Sequence, residues 1–89
     1  MKDPYLEVTF RHGRAIAAYY YLPRDADQKS TRTRKAEPGL VIDFAADGRP
    51  LGIEITAPGE ISLAALNAVL EELGQAPASE ADLAPVLAA

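Results

Sequence analysis

The segment from Gly39 to Ile55 narrows the possible folds more than any other part of this chain. Leu40, Ile42 and Phe44 alternate with Val41 and Asp43, and Leu51, Ile53 and Ile55 alternate with Gly52 and Glu54. A period of two over short runs is the pattern of strands with one face buried and one face wet. Between the runs stands Ala46-Asp47-Gly48-Arg49, whose Asp-Gly step is a strong hairpin-turn signal because both residues tolerate positive φ. The segment is therefore expected to be a two-stranded antiparallel unit that needs further layers to bury its apolar side.

The preceding residues supply more strands. In Tyr5–Phe10, Leu6, Val8 and Phe10 fall on one side and Tyr5, Glu7 and Thr9 on the other. Arg11-His12-Gly13 breaks the run, and Arg14–Leu22 resumes it, so the pair is expected to form a hairpin. Its inward face is expected to be Ile16, Ala18, Tyr20 and Leu22; its outward face, Ala15, Ala17, Tyr19 and Tyr21, is unusually apolar for contact with water. Pro23–Gln28 reads as a turn. Lys29–Glu37 has no apolar stripe, and its alternating threonines and charges suit either an exposed edge strand or a loop. After Ala57-Pro58-Gly59 the period changes. Ser62 is a suitable helix N-cap, Leu63, Leu66, Val69, Leu70 and Leu73 form one helical stripe, and Gly74 suits the residue past the helix end. Ser79–Leu87 has the makings of a short second helix that Pro85 limits.

With strands first and helices last, the expected class is α+β: an antiparallel, meander-like sheet of four to five strands with a C-terminal helix packed on it. The 89 residues argue for a single domain, with a β core over 5–60, a helix over 61–74 and an extension over 75–89. The 48% apolar and 25% charged residues are ordinary globular proportions.

The wording of these strands is familiar. Gly39-Leu40-Val41-Ile42-Asp43-Phe44, Asp47-Gly48-Arg49 and Leu51-Gly52-Ile53-Glu54-Ile55, preceded by Ala17-Ala18-Tyr19-Tyr20-Tyr21-Leu22, resemble the small bacterial family known as domain of unknown function 2283. The resemblance covers roughly residues 5–60, and the Asp-Gly hairpin is its most specific part. It departs from the family pattern at Arg11-His12-Gly13, where an acidic, Asp-Pro-rich turn is usual, and in the helical extension after Ser62. It implies a fold and no activity.

The chemistry-bearing residues are sparse. There is no cysteine, which removes disulfides, thiolate metal sites and a Cys nucleophile. His12 is the only histidine and sits in a turn between arginines, so no metal or other cofactor is expected. No Gly-rich phosphate loop and no nucleophile–base set is visible. Asp43 and Glu54 fall on one sheet face and form a candidate carboxylate pair, though turn-making Asp47 and wet-face acids are the plainer description of this group. Arg32 and Arg34, beside Lys29 and Lys35, are candidate anion contacts on a strand whose cations also discourage aggregation. The net charge of −4 disfavours nucleic acid. No apolar run reaches the ~20 residues of a membrane span, and the expected location is the cytoplasm.

The charge is split: Arg24, Lys29, Arg32, Arg34 and Lys35 lie together, whereas no basic residue follows Glu60. Ala15, Ala17, Tyr19, Tyr21 and Val41 make a candidate interface on the uncovered sheet face. The expected function is a non-enzymatic interaction module that forms a homodimer or binds a small protein partner. The alternatives are an antitoxin-like or regulatory partner of a small basic toxin, and a small-ligand binder or enzyme using the sheet-face carboxylates.

Overall fold

The computed structural model describes residues 3–23, 29–37 and 39–87. Five strands, β1 (Tyr5–Arg11), β2 (Arg14–Tyr21), β3 (Arg32–Glu37), β4 (Leu40–Phe44) and β5 (Pro50–Ile55), form one antiparallel sheet in the order β1-β2-β5-β4-β3. The meander is interrupted once. The β1–β2 hairpin lies at one end and the β3–β4–β5 meander at the other, joined where β2 pairs with β5. Most of the expected turn Pro23–Gln28 lies outside the described residues. A 3₁₀ turn (Pro58–Glu60) leads to α1 (Leu63–Glu72), and α2 (Glu80–Leu87) follows.

Both helices pack on one face of the sheet. Ala18, Tyr20, Leu22, Leu40, Ile42, Phe44, Ile53 and Ile55 meet Leu66, Val69 and Leu70 of α1 and Leu83 and Val86 of α2 in a single cluster. Each large side chain fully buried there is worth about 1.5–3 kcal/mol in transfer free energy. The helix ends are fixed as the sequence implied. The Ala65 N–H donates to Ser62 Oγ at 3.1 Å. The Gln75 N–H donates to Leu70 O at 2.8 Å and the Gly74 N–H to Glu71 O at 3.0 Å, the paired bonds of a Schellman ending. At α2, the Asp82 N–H donates to Ser79 Oγ (3.1 Å) and the Ser79 N–H to Asp82 Oδ2 (2.9 Å), a reciprocal capping box.

Three expectations are corrected. The alternation of β2 slips at a β-bulge: Thr9 pairs with Ala17, but Phe10 pairs with Ala15, leaving Ile16 as the extra residue. Ala15 therefore packs against the core, and Ile16, expected inside, is 47% exposed. Phe10 shares its side of β1 with Leu6 and Val8, as the alternation implies, but at the end of the strand it is 56% exposed. At the β4–β5 turn only Gly48 has positive φ (87°), not Asp47. The Gly48 N–H donates to Ala45 O and the Ala45 N–H to Arg49 O, both at 2.9 Å. This is a three-residue hairpin loop closed by a left-handed glycine, and Asp47 contributes by accepting the Arg49 N–H at 2.9 Å.

Of the segment expected to be either edge strand or loop, Arg32–Glu37 is a strand at the sheet edge, paired with β4.

Candidate interaction surface

The face opposite the helices is built by alternation. Strand pairing sets two rows across it. One runs Tyr5, Tyr21, Gly52, Asp43, Thr33; the next runs Glu7, Tyr19, Glu54, Val41, Lys35. Residues directly opposite in antiparallel strands share a face and lie close enough for their side chains to interact. Of the candidate interface residues, Ala17, Tyr19, Tyr21 and Val41 are on this face and half-buried; Ala15 belongs to the other face.

The tyrosines are locked onto the sheet. Tyr21 stacks on Tyr5, with ring centroids 4.4 Å apart and planes 12° from parallel, and its hydroxyl donates to Glu7 Oε1 at 3.2 Å. Tyr19 packs against Tyr21 at 4.6 Å in a tilted arrangement. The Tyr19 ring crosses Gly52, and its hydroxyl donates to Asp43 Oδ2 at 2.6 Å. Such a short bond to a carboxylate is among the stronger kinds. A glycine inside a strand is itself a sign of close approach, and that was the available clue to this seat.

Asp43 and Glu54 do share the wet face, as expected, but they are used differently. Asp43 accepts the Tyr19 hydroxyl. Glu54 lines a shallow depression of about 140 Å³ with Glu7, Thr9, Ala17, Ala18 and Tyr19, and Asp43 is not part of its wall. Among the described residues, no group of three or more His, Cys, Asp and Glu is placed to hold a metal ion.

The arginines of β3 fall on the helix side of the sheet, opposite Phe44 and Ile42. The Arg32 guanidinium sits 4.9 Å from the Phe44 ring centroid and that of Arg34 5.9 Å. Arg34 also pairs with Glu72 of α1 at 3.0 Å. The split charge is thus partly joined within the molecule, through an exposed pair worth about 0–1 kcal/mol.

The exposed large apolar side chains tell a different story from the tyrosine face alone. Tyr5 (47%), Phe10 (56%) and Ile16 (47%) all belong to the β1–β2 hairpin. Phe10 and Ile16 were not anticipated as surface residues, because the bulge that exposes Ile16 carries no signal in the alternation. The rest of the exposed large apolar set among the described residues is Leu87, in the last turn of α2.

Residues 17–57 match the family model described as protein of unknown function (DUF2283), the family that the strand sequences resemble. The match begins within β2 and ends just past β5, so it covers most of β2 and all of β3, β4 and β5, and excludes β1 and both helices. No curated protein and no solved structure gives a significant match.

Proposed function

We propose that this chain, similar to DUF2283 over residues 17–57, works as a non-enzymatic, self-associating interaction module, in the cytoplasm of its cell. One observation carries the reading: the two ends of the sheet are unlike. The β3 edge carries Arg32, Arg34 and Lys35, cations of the kind that keep an edge from pairing. The β1 edge, Tyr-Leu-Glu-Val-Thr-Phe-Arg, carries one acid and one base among apolar and aromatic residues, and its hairpin exposes Tyr5, Phe10 and Ile16. Exposed apolar side chains on the hairpin that carries an edge with no paired strand among the described residues suit association.

The carboxylate alternative has less behind it, since Asp43 is committed to Tyr19 and does not line the shallow depression that Glu54 borders. The antitoxin-like alternative needs the acids after Glu60 (Glu71, Glu72, Glu80 and Asp82) to meet a basic partner, and Glu72 is already paired with Arg34. Light scattering across a concentration series tests the reading: a dimer mass is expected, and a monomer mass at high micromolar concentration overturns it.

A further inference from the structure

We infer that β1 pairs with β1 of a second copy of this chain, antiparallel and centred on Val8, to make one continuous ten-stranded sheet. The inference rests on the self-association reading and specifies its surface and register.

The direction of the free backbone groups follows from the sheet. The Leu22 N–H donates to Leu51 O at 3.0 Å, so Leu22, Tyr20 and Ala18 turn their backbone groups toward β5. The intervening Tyr21, Tyr19 and Ala17 turn theirs toward β1, where they face Tyr5, Glu7 and Thr9. Leu6, Val8 and Phe10 consequently aim their N–H and C=O groups at the open edge, and among the described residues no strand pairs there. Such a row is a template for another strand.

The second copy fits this template by charge and by shape. Tyr5, Glu7, Thr9 and Arg11 share one face of β1, and Leu6, Val8 and Phe10 share the other. Centred on Val8, the full strand overlaps its copy. Leu6 then lies opposite the copy's Phe10, which covers the most exposed ring of the hairpin. Tyr5 lies opposite the copy's Arg11, a cation–π pairing, and that Arg11 is also the diagonal neighbour of Glu7. This register forms about six backbone hydrogen bonds, two for each of its three facing pairs. A shift of two residues either way leaves about four. One of those shifts also sets Glu7 against its own copy, and the other leaves Tyr5 and Leu6 unpaired. Self-pairing of β3 would instead bring Arg32, Arg34 and Lys35 against like charge.

Single-cysteine proteins decide the register, since the chain has no cysteine of its own. In the proposed register Glu7 opposes the copy's Thr9 across a non-hydrogen-bonded site, where Cα atoms about 4.5 Å apart suit a disulfide. Glu7→Cys and Thr9→Cys proteins are mixed, oxidised mildly and resolved by intact mass, with Lys35→Cys on the β3 edge as control. The mixed Glu7→Cys/Thr9→Cys disulfide is expected to exceed its random proportion. Dominance of either homodimeric disulfide overturns the register. Cross-linking no greater than that of the Lys35→Cys control, with a dimer mass for the unmodified chain, overturns the β1 edge while self-association stands. A monomer mass overturns both, including the case in which the edge receives a strand from a different protein.

Discussion

The Tyr19 ring lies across Gly52 and ends on Asp43, so one hydrogen atom at position 52 is what permits a contact spanning three strands. A Cβ built at residue 52 overlaps the Tyr19 ring, and the hydroxyl reaches Asp43 Oδ2 at 2.6 Å only because the ring can lie that low. Gly→Ala within a strand is ordinarily mildly stabilising, because it restricts the unfolded chain. Here the sign reverses. Gly52→Ala must lift the ring and break the bond, with an expected loss of about 1–3 kcal/mol. Urea denaturation checks this, and Tyr19→Ala supplies the control. In the Tyr19→Ala background the same Gly52→Ala change should be nearly neutral. An equal loss in both backgrounds would mean that the ring is not the obstacle.

The Tyr19–Asp43 bond itself is separable from the seat. Tyr19→Phe keeps the ring on Gly52 and removes only the donor. A loss of about 1–2 kcal/mol is expected, with most of it disappearing when Asp43 is already Ala. A double-mutant cycle by chemical denaturation measures the coupling, and a coupling near zero would show that water replaces the bond at no cost.

Asn67 holds the segment between the helices. Its Oδ1 accepts the Ala78 N–H at 2.8 Å and its Nδ2 donates to Ala78 O at 3.1 Å, so one side chain satisfies both backbone groups of a buried residue. Asn67→Ala improves helix propensity but leaves those groups without these partners, and the balance is an expected loss of about 1–3 kcal/mol. Because Ala78 immediately precedes the capping box of α2, amide exchange should accelerate first in Ser79–Leu87. Uniform acceleration across the sheet would argue against a local clip.

These contacts divide the fold into parts that pattern reveals and parts that it does not. Leu40, Ile42 and Phe44 point inward because a period of two survives in the residues themselves, and Ser62 and Ser79 cap helices because their hydroxyls have a fixed local job. The bulge at Ile16 depends on how β2 meets β1, a pairing that no local pattern encodes, so Ala15 and Ile16 exchange places relative to the alternation. The same holds for Arg34, whose partner Glu72 is distant in sequence and is reached only because the end of α1 comes back to β3. On the candidate surface, alternation correctly assigned Tyr19 and Tyr21 to the wet face. That each ring is tied down by a neighbour was visible only as an unexplained glycine at position 52.

Tyr20 makes alkaline pH a probe of the core. The residue is 2% exposed, and burial foremost, then the Asp82 carboxylate, raises its hydroxyl pKa above the ordinary value of 10.0. With the folded pKa above the unfolded one, the contribution is intact below pH about 10. As pH rises past that point the unfolded chain releases a proton that the native state retains, and stability falls until the folded pKa is passed. Tyr20→Phe removes this proton and leaves the other tyrosines in place. The stability of the variant should therefore decline less steeply over roughly pH 9–11 than that of the unmodified chain. Parallel declines would show that Tyr20 ionises as readily folded as unfolded.

The β1–β2 turn offers a stabilising change. His12 has φ of 52° and Gly13 φ of 77°, so both central residues of the turn are left-handed. That is the backbone of a two-residue hairpin turn that favours Asn-Gly, and histidine is the less suitable member of the pair. The His12 side chain is exposed, so an exchange at this position changes mainly the backbone preference. His12→Asn should raise stability by about 0.3–1 kcal/mol and His12→Pro, which cannot adopt positive φ, should lower it by more. Thermal and urea midpoints measured together check both signs. Stabilisation by His12→Pro would require the turn to have a different backbone.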